Sequence, residues 1–165
     1  MKYERFEQLP VWKEAAKMAA EIFKWSAQPA FKQKGDLASQ IQRATLSISN
    51  NIAEGFERGT TGELITFLYY ARGSAGEVRS ILCVTELMPE FNGMKEEIEN
   101  FKKTAEKITR QIRGWAQSLQ ESEIKGQRYL TKQTREEEKK KSRQAFWEQI
   151  EEVKKKSLRE KGLDV

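Results

Sequence analysis

The stretch that decides the fold is Gln40-Ile41-Gln42-Arg43-Ala44-Thr45-Leu46-Ser47-Ile48-Ser49-Asn50-Asn51-Ile52-Ala53-Glu54-Gly55. Ile41, Ala44, Ile48 and Ile52, preceded by Leu37, recur every three or four residues and lay one apolar stripe along a helix. A second row, Arg43, Ser47, Asn51 and Glu54, keeps the same spacing and lines up a cation, a hydroxyl, an amide and a carboxylate on another face. Serine and asparagine compete with the backbone for hydrogen bonds and are poor interior helix residues, so propensity did not place them there.

Working outward, the chain before this stretch predicts a helix from near Pro10 to about Ala27, with Leu9, Trp12, Ala15 or Ala16, Ala19, Ile22 and Phe23 on one face. Trp25 and Phe31 are expected to fold over its end. A connector from Gln28 to Gly35 follows, and Asp36 is placed to cap the second helix. That helix should stop between Gly55 and Gly59. Thr60-Thr61-Gly62-Glu63 has the form of a capping box and opens a third helix with Leu64, Phe67, Leu68, Ala71, Ala75, Val78, Leu82 and Thr85 inward. Gly73, Ser74 and Gly76 interrupt its middle, each glycine costing about 1 kcal/mol against alanine. They point to a close approach of another backbone, either within the chain or from a second subunit.

Pro89 and Asn92-Gly93 separate a fourth helix, on which Phe91, Met94, Ile98, Phe101, Ala105, Ile108, Ile112, Trp115 and Leu119 form a heptad seam. Four amphipathic helices with short connections predict an all-α, antiparallel up-down four-helix bundle over residues 3–120. Residues 121–165 read as a charged helical extension. There Glu136 precedes Lys140, Glu137 Lys141, Glu151 Lys155 and Glu152 Lys156, in the order that supports a solvated helix. Phe146, Trp147, Ile150 and Val153 add a short apolar face that suits docking on the bundle, a neighbouring subunit or another macromolecule.

Composition narrows the function. The net charge of +5 is uneven: Ile124 to Val165 holds 13 Lys or Arg against 8 Asp or Glu, which leaves 17 against 17 before it. With no histidine, the usual zinc sites and the Glu-x-x-His di-iron signature are excluded, and the reading is of no metal, no cofactor and no enzyme. The single Cys83 allows no intramolecular disulfide, and among Ile81, Leu82 and Val84 it reads as a buried structural thiol. No apolar run nears the roughly 20 residues that span a bilayer. The N-terminus lacks the apolar core of a secretion signal, so the chain reads as cytoplasmic.

These residues carry a family resemblance. Phe6-Glu7-Gln8-Leu9-Pro10-Val11-Trp12-Lys13, Gln40 to Ala44, Ser47 to Gly55, Glu63 with Phe67-Leu68, and Ala71 to Glu77 resemble the bundle proteins encoded in intervening sequences of bacterial 23S rRNA genes. That family is similar in turn to the accessory variability determinant proteins of diversity-generating retroelements. The match runs from about Tyr3 to Leu119 and excludes the tail. This chain has Gln42 where the family commonly has a second arginine, and Ser49 where it commonly has proline. The resemblance implies an antiparallel bundle, assembly into a homopentamer, and, from the retroelement members, binding of nucleic acid and of a reverse transcriptase.

The polar row then admits a structural network, a subunit interface, a catalytic site or an RNA contact. In the first, Arg43 and Glu54 satisfy each other or the Glu63 and Glu77 side of the third helix, with Ser47 and Asn51 bridging. In the second, Arg43, Ser47, Asn51, Glu54, Glu63, Gly73, Ser74 and Glu77 set subunit packing. For RNA or DNA the candidates are Arg72, Arg79, Arg110 and Arg113 together with Lys102, Lys103 and Lys107, of which Lys103, Lys107, Arg110 and Arg113 lie along one side of the fourth helix. No aromatic stacking platform accompanies them, so binding should track phosphates rather than sequence.

Overall fold

The computed structural model describes residues 3–32, 34–123, 126 and 132–160, with backbone alone at 132–135, 137, 138 and 157–160. Every regular element among the described residues is helical: α1 (Pro10–Trp25), α2 (Leu37–Glu57), α3 (Thr61–Glu86), α4 (Lys95–Gln120) and α5 (Lys132–Glu160), with short 3-10 turns at Phe6–Gln8, Pro29–Phe31 and Pro89–Met94. The chain divides into two units, residues 1–126 and 127–165.

In the first unit α1 packs on α2, α2 on α3 and α3 on α4, and α1 also meets α4. The stripe of α2 enters the shared core: Ile41, Ala44, Ile48 and Ile52 are buried, with Leu37 at its edge. Helix α3 buries Leu68, Ala71, Ala75, Val78, Leu82 and Thr85, while Leu64 and Phe67 are half-buried. On α4 the buried residues are Ile98, Ala105, Ile108, Ile112 and Ala116, with Phe101, Trp115 and Leu119 packed at the margin. Leu9, Ala15, Ala19 and Ile22 of the face expected for α1 are buried, but its aromatics Trp12 and Phe23 are not. Val11, Ala15, Met18, Ala19, Ile22 and Trp25 are inward, Trp12 is half-buried, and Phe23 is exposed. Trp12 instead sits at the rim against Phe6, ring centroids 5.1 Å apart, so area alone did not choose the inward side.

Trp25, Phe31, Phe91 and Phe101 close one end, with Trp25 4.7 Å from Phe31 and 5.4 Å from Phe101. Edge-to-face contacts of this kind add to plain area burial. The indole Nε1 of Trp25 is buried there with no acceptor among the described residues. Buried hydroxyls are satisfied locally: Thr45 and Thr85 donate to the carbonyls of Ile41 (2.7 Å) and Ile81 (2.8 Å), Ser49 to that of Leu46 (3.0 Å). Asp36 is the N-terminal flanking residue of α2, but its side chain makes no capping bond, its φ of −87° and ψ of 11° lying outside the extended cap conformation. At Thr60 the cap is made: the hydroxyl accepts from the Glu63 amide at 3.2 Å and donates to Glu63 Oε2 at 2.7 Å.

Two glycines are demanded by space. Gly55 does not end α2 but lies within it, where a Cβ would stand 2.6 Å from Phe67 Cβ, so α3 rests almost on the α2 backbone. Gly126 adopts φ +106°, and a Cβ there would lie 2.5 Å from the Gly59 carbonyl oxygen. Gly73 and Gly76 are the reverse case, exposed with nothing within 4 Å of an added Cβ. The close approach they suggested does not occur among the described residues. Cys83 is also exposed, a correction to its expected burial. Val78, Leu82 and Thr85 take the inward positions of that part of α3, which turns Cys83 and Val84 outward.

In the second unit, α5 exposes Phe146, Trp147 and Val153, and Ile150 is half-buried. Phe146 and Trp147 stand edge to face at 6.0 Å, and Gln144 donates to Glu148 at 3.2 Å. The expected pairing of Glu137 with Lys141 lies outside the described side chains.

Gly55→Ala is expected to destabilise the fold by about 1–3 kcal/mol through overpacking against Phe67. Gly114→Ala, exposed in α4 with nothing within 4 Å of its Cβ, should stabilise by about 0.5–1 kcal/mol through helix propensity. Urea unfolding midpoints of the two variants measure both.

Candidate functional site

The α2–α3 seam organises the polar row. Ser47 Oγ lies 2.9 Å from Ser74 Oγ, and Asn51 Nδ2 donates to the Ser47 carbonyl at 2.8 Å and to Ser47 Oγ at 3.0 Å. Ser74 Oγ in turn donates to the Tyr70 carbonyl at 3.1 Å. A hydroxyl has one proton, so with that of Ser74 given to Tyr70, Ser47 is the donor between the serines. The chain therefore runs from the Asn51 amide through Ser47 and Ser74 to a backbone carbonyl. Residue 47 meets 74 while Gly55 meets Leu64 and Phe67, so α2 and α3 run in opposite directions.

The ends of the row behave differently from the expectation. Glu54 pairs not with Arg43 but with Arg58, one turn on, at 2.7 Å, and Arg58 also reaches Glu63 at 3.4 Å. Arg43 and Glu54 stand about three helical turns apart, beyond side-chain reach. The Arg58 guanidinium lies over the Phe67 ring, 4.7 Å from its centroid. Hydrogen bonds to Glu54 first and Glu63 second raise its proton affinity above the ordinary arginine value. Arg58 is thus a residue the sequence reading missed, although its spacing of four from Glu54 was a usable signal. Arg43 and Glu77 are exposed, and among the described residues neither has an ion-pair partner.

The candidate cations divide in two, Lys102 falling with the paired ones. Lys103 is 3.6 Å from Glu99, Lys107 2.7 Å from Glu14, and Arg110 3.1 Å from Glu106. Glu14 also accepts from Gln111 at 2.6 Å, which makes it the polar clasp between α1 and α4. Arg72, Arg79 and Arg113 have no ion pair among the described residues, Arg72 being half-buried and the other two exposed. Arg72, Arg79 and Glu86 are successive sevens on α3, one side of the helix. Glu86 accepts from Lys102 of α4 at 3.0 Å, so that side faces α4. Lys102 is also held by Glu99 at 3.2 Å, and these carboxylates, Glu86 first, raise its pKa. Arg113 lies three turns beyond Lys102 on the same side of α4. Arg72, Arg79 and Arg113 accordingly border one α3–α4 groove, while the unpaired Arg43 lies on α2.

No group of three or more His, Cys, Asp or Glu suited to a metal ion occurs among the described residues, and no described helix is long and apolar enough to cross a membrane. The architecture is thus that of an all-helical protein with a hydrogen-bonded α2–α3 seam and a groove edged by arginines. The sequence profile of the 23S rRNA-intervening sequence protein family matches residues 7–114, and the chain belongs to that family. A search of curated proteins finds none that matches.

Ser47→Ala and Ser74→Ala are each expected to cost about 0.5–1.5 kcal/mol. Combined in a double-mutant cycle they should show coupling of about 0.5 kcal/mol or more, measured by urea unfolding; additive effects would show that the two hydroxyls act independently.

Proposed function

We propose that this chain is a non-enzymatic, homo-oligomeric, antiparallel up-down four-helix bundle that binds RNA or DNA through phosphate contacts, with no metal or cofactor, in the cytoplasm. The observation that carries the nucleic-acid reading is the set of un-neutralised arginines, Arg72, Arg79 and Arg113, along one groove. A guanidinium already paired must give up its carboxylate to take a phosphate; an unpaired one need only release water and counterions. Lys103, Lys107 and Arg110 therefore contribute less than their sequence positions suggested. The family's description, tied to 23S rRNA, supports RNA as the nucleic acid, and repetition around an oligomer multiplies a modest patch. The family resemblance favours a ring of five.

A second reading, a protein-interaction adaptor such as a reverse transcriptase accessory subunit, is favoured by the exposed Phe146, Trp147 and Val153 of α5. Aromatic side chains of that kind anchor protein interfaces.

Binding to a fluorescent single-stranded RNA should weaken steeply with salt, and replacing Arg72, Arg79 or Arg113 by Ala should each lower the log-log salt slope by about one. Lys103→Ala and Lys107→Ala should change it less. Binding absent at low ionic strength, or flat as salt rises, removes the nucleic-acid reading. Light scattering should return a multiple of the 19.2 kDa chain mass, five if the ring forms.

A further inference from the structure

The side of α3 turned away from the core differs from the outward sides of α1, α2 and α4, which carry Lys13 and Lys17, Arg43 and Glu57, and Lys103 and Glu106. Tyr69, Gly73, Gly76, Ser80, Cys83 and Leu87 follow one another at spacings of four, three, four, three and four, a heptad seam, and all six are exposed. Tyr70 and Val84 flank it, 57% and 54% exposed. The six seam residues carry no charge; Glu77 borders them on one side and Arg72 and Arg79 on the other, the side that faces α4. Solvent does not select a heptad repeat, and a water-facing helix side is normally studded with charge.

The glycines sharpen the point. Each costs about 1 kcal/mol in a helix interior relative to alanine, and a Cβ at Gly73 or Gly76 would touch nothing among the described residues. Their smallness serves no contact among the described residues. It leaves a shallow notch between Tyr69 and Tyr70 on one side and Val84 and Leu87 on the other, where another helix can lie close. Phosphate finds no cation on the seam residues themselves, because Arg72 and Arg79 stand on the border toward α4 and Glu77 stands on the other.

Charge favours a second copy. The Ser47–Ser74 bond fixes the register of α2 on α3, and one turn beyond it Arg43 and Glu77 stand on the same side. Both are exposed, and neither is ion-paired among the described residues. A surface offering an unpaired base beside an unpaired acid, and aromatic knobs beside a notch, finds both counter-charges and a neutral apolar helix on a copy of its own chain. We propose that the outward seam of α3 is the surface by which one copy of this chain packs on another. This rests on the homo-oligomeric reading above and names the face that serves it.

Cys83, the single cysteine, lies in the seam and reports directly on its coverage. In the full-length protein at micromolar concentration, Cys83 should react with a bulky maleimide about tenfold or more slowly than after dilution into the dissociated range. Gly76→Lys and Ser80→Arg, both on open exposed positions, should restore fast labelling and lower the light-scattering mass to one chain while the helical circular dichroism is kept. Using two variants separates loss of the seam from a folding defect in either. An oligomeric wild type whose Cys83 labels as fast as in urea, or folded variants that stay oligomeric and protected, overturns the seam while the oligomer reading stands. A monomeric wild type removes both. Protection that arises only on adding RNA also overturns the proposal, in favour of a nucleic-acid surface.

Discussion

The contact on which the first unit depends is the approach of α3 to the bare backbone of α2 at Gly55. Because a Cβ there would lie 2.6 Å from Phe67, no other residue fits the site without movement, and the crossing point of the two helices is fixed. Everything along the seam inherits that register. Ser47 is carried to Ser74, Arg58 is set between Glu54 and Glu63, and Phe67 receives the Arg58 guanidinium on its face. The same constraint fixes the rotation of α3. With Leu68, Ala71, Ala75, Val78 and Leu82 held inward, the glycines and Cys83 have to face outward.

Electrostatics in the first unit divides the cations between those already paired and those left free among the described residues. The residues before Ile124 balance at 17 of each sign, and much of that balance is realised as contacts: Glu14 with Lys107, Glu86 and Glu99 with Lys102, Glu90 with Lys34, Glu106 with Arg110. Exposed pairs of this sort add little stability. Their larger effect is to leave a sparse pattern of unpaired charge, and function has to be sought in that remainder rather than in the total of lysines and arginines.

The sequence carried much of the fold because burial has a period. The stripe on α2, the inward row of α3 and the seam of α4 are chemically distinct from their neighbours, so a 3.6-residue repeat exposes them. On α1 the pattern was ambiguous, since apolar residues surround much of the helix and the aromatics Trp12 and Phe23 lie off the buried side. Cys83 was misjudged for a related reason: its neighbours are apolar on every side, so local hydrophobicity says nothing about direction. The polar row was visible as spacing, but its partners were not. Which carboxylate Arg58 selects, and whether Ser74 lies opposite Ser47, depends on how two helices cross, and that is set by a glycine whose tight neighbour comes from another element.

The clasp of Glu14 on Lys107 and Gln111 has a further meaning in the order of folding. It joins positions as many as 97 residues apart, whereas α2 with α3, and α3 with α4, are joined by short turns. Loop closure favours the near pairs first. The pairing of α1 with α2 across residues 26–36 is a near one as well, so what has to wait is the meeting of α1 with α4. In a protein that emerges from the ribosome N-terminus first, α1 is made earliest yet has its α4 partner last. Until then, Trp25 has only part of its aromatic enclosure.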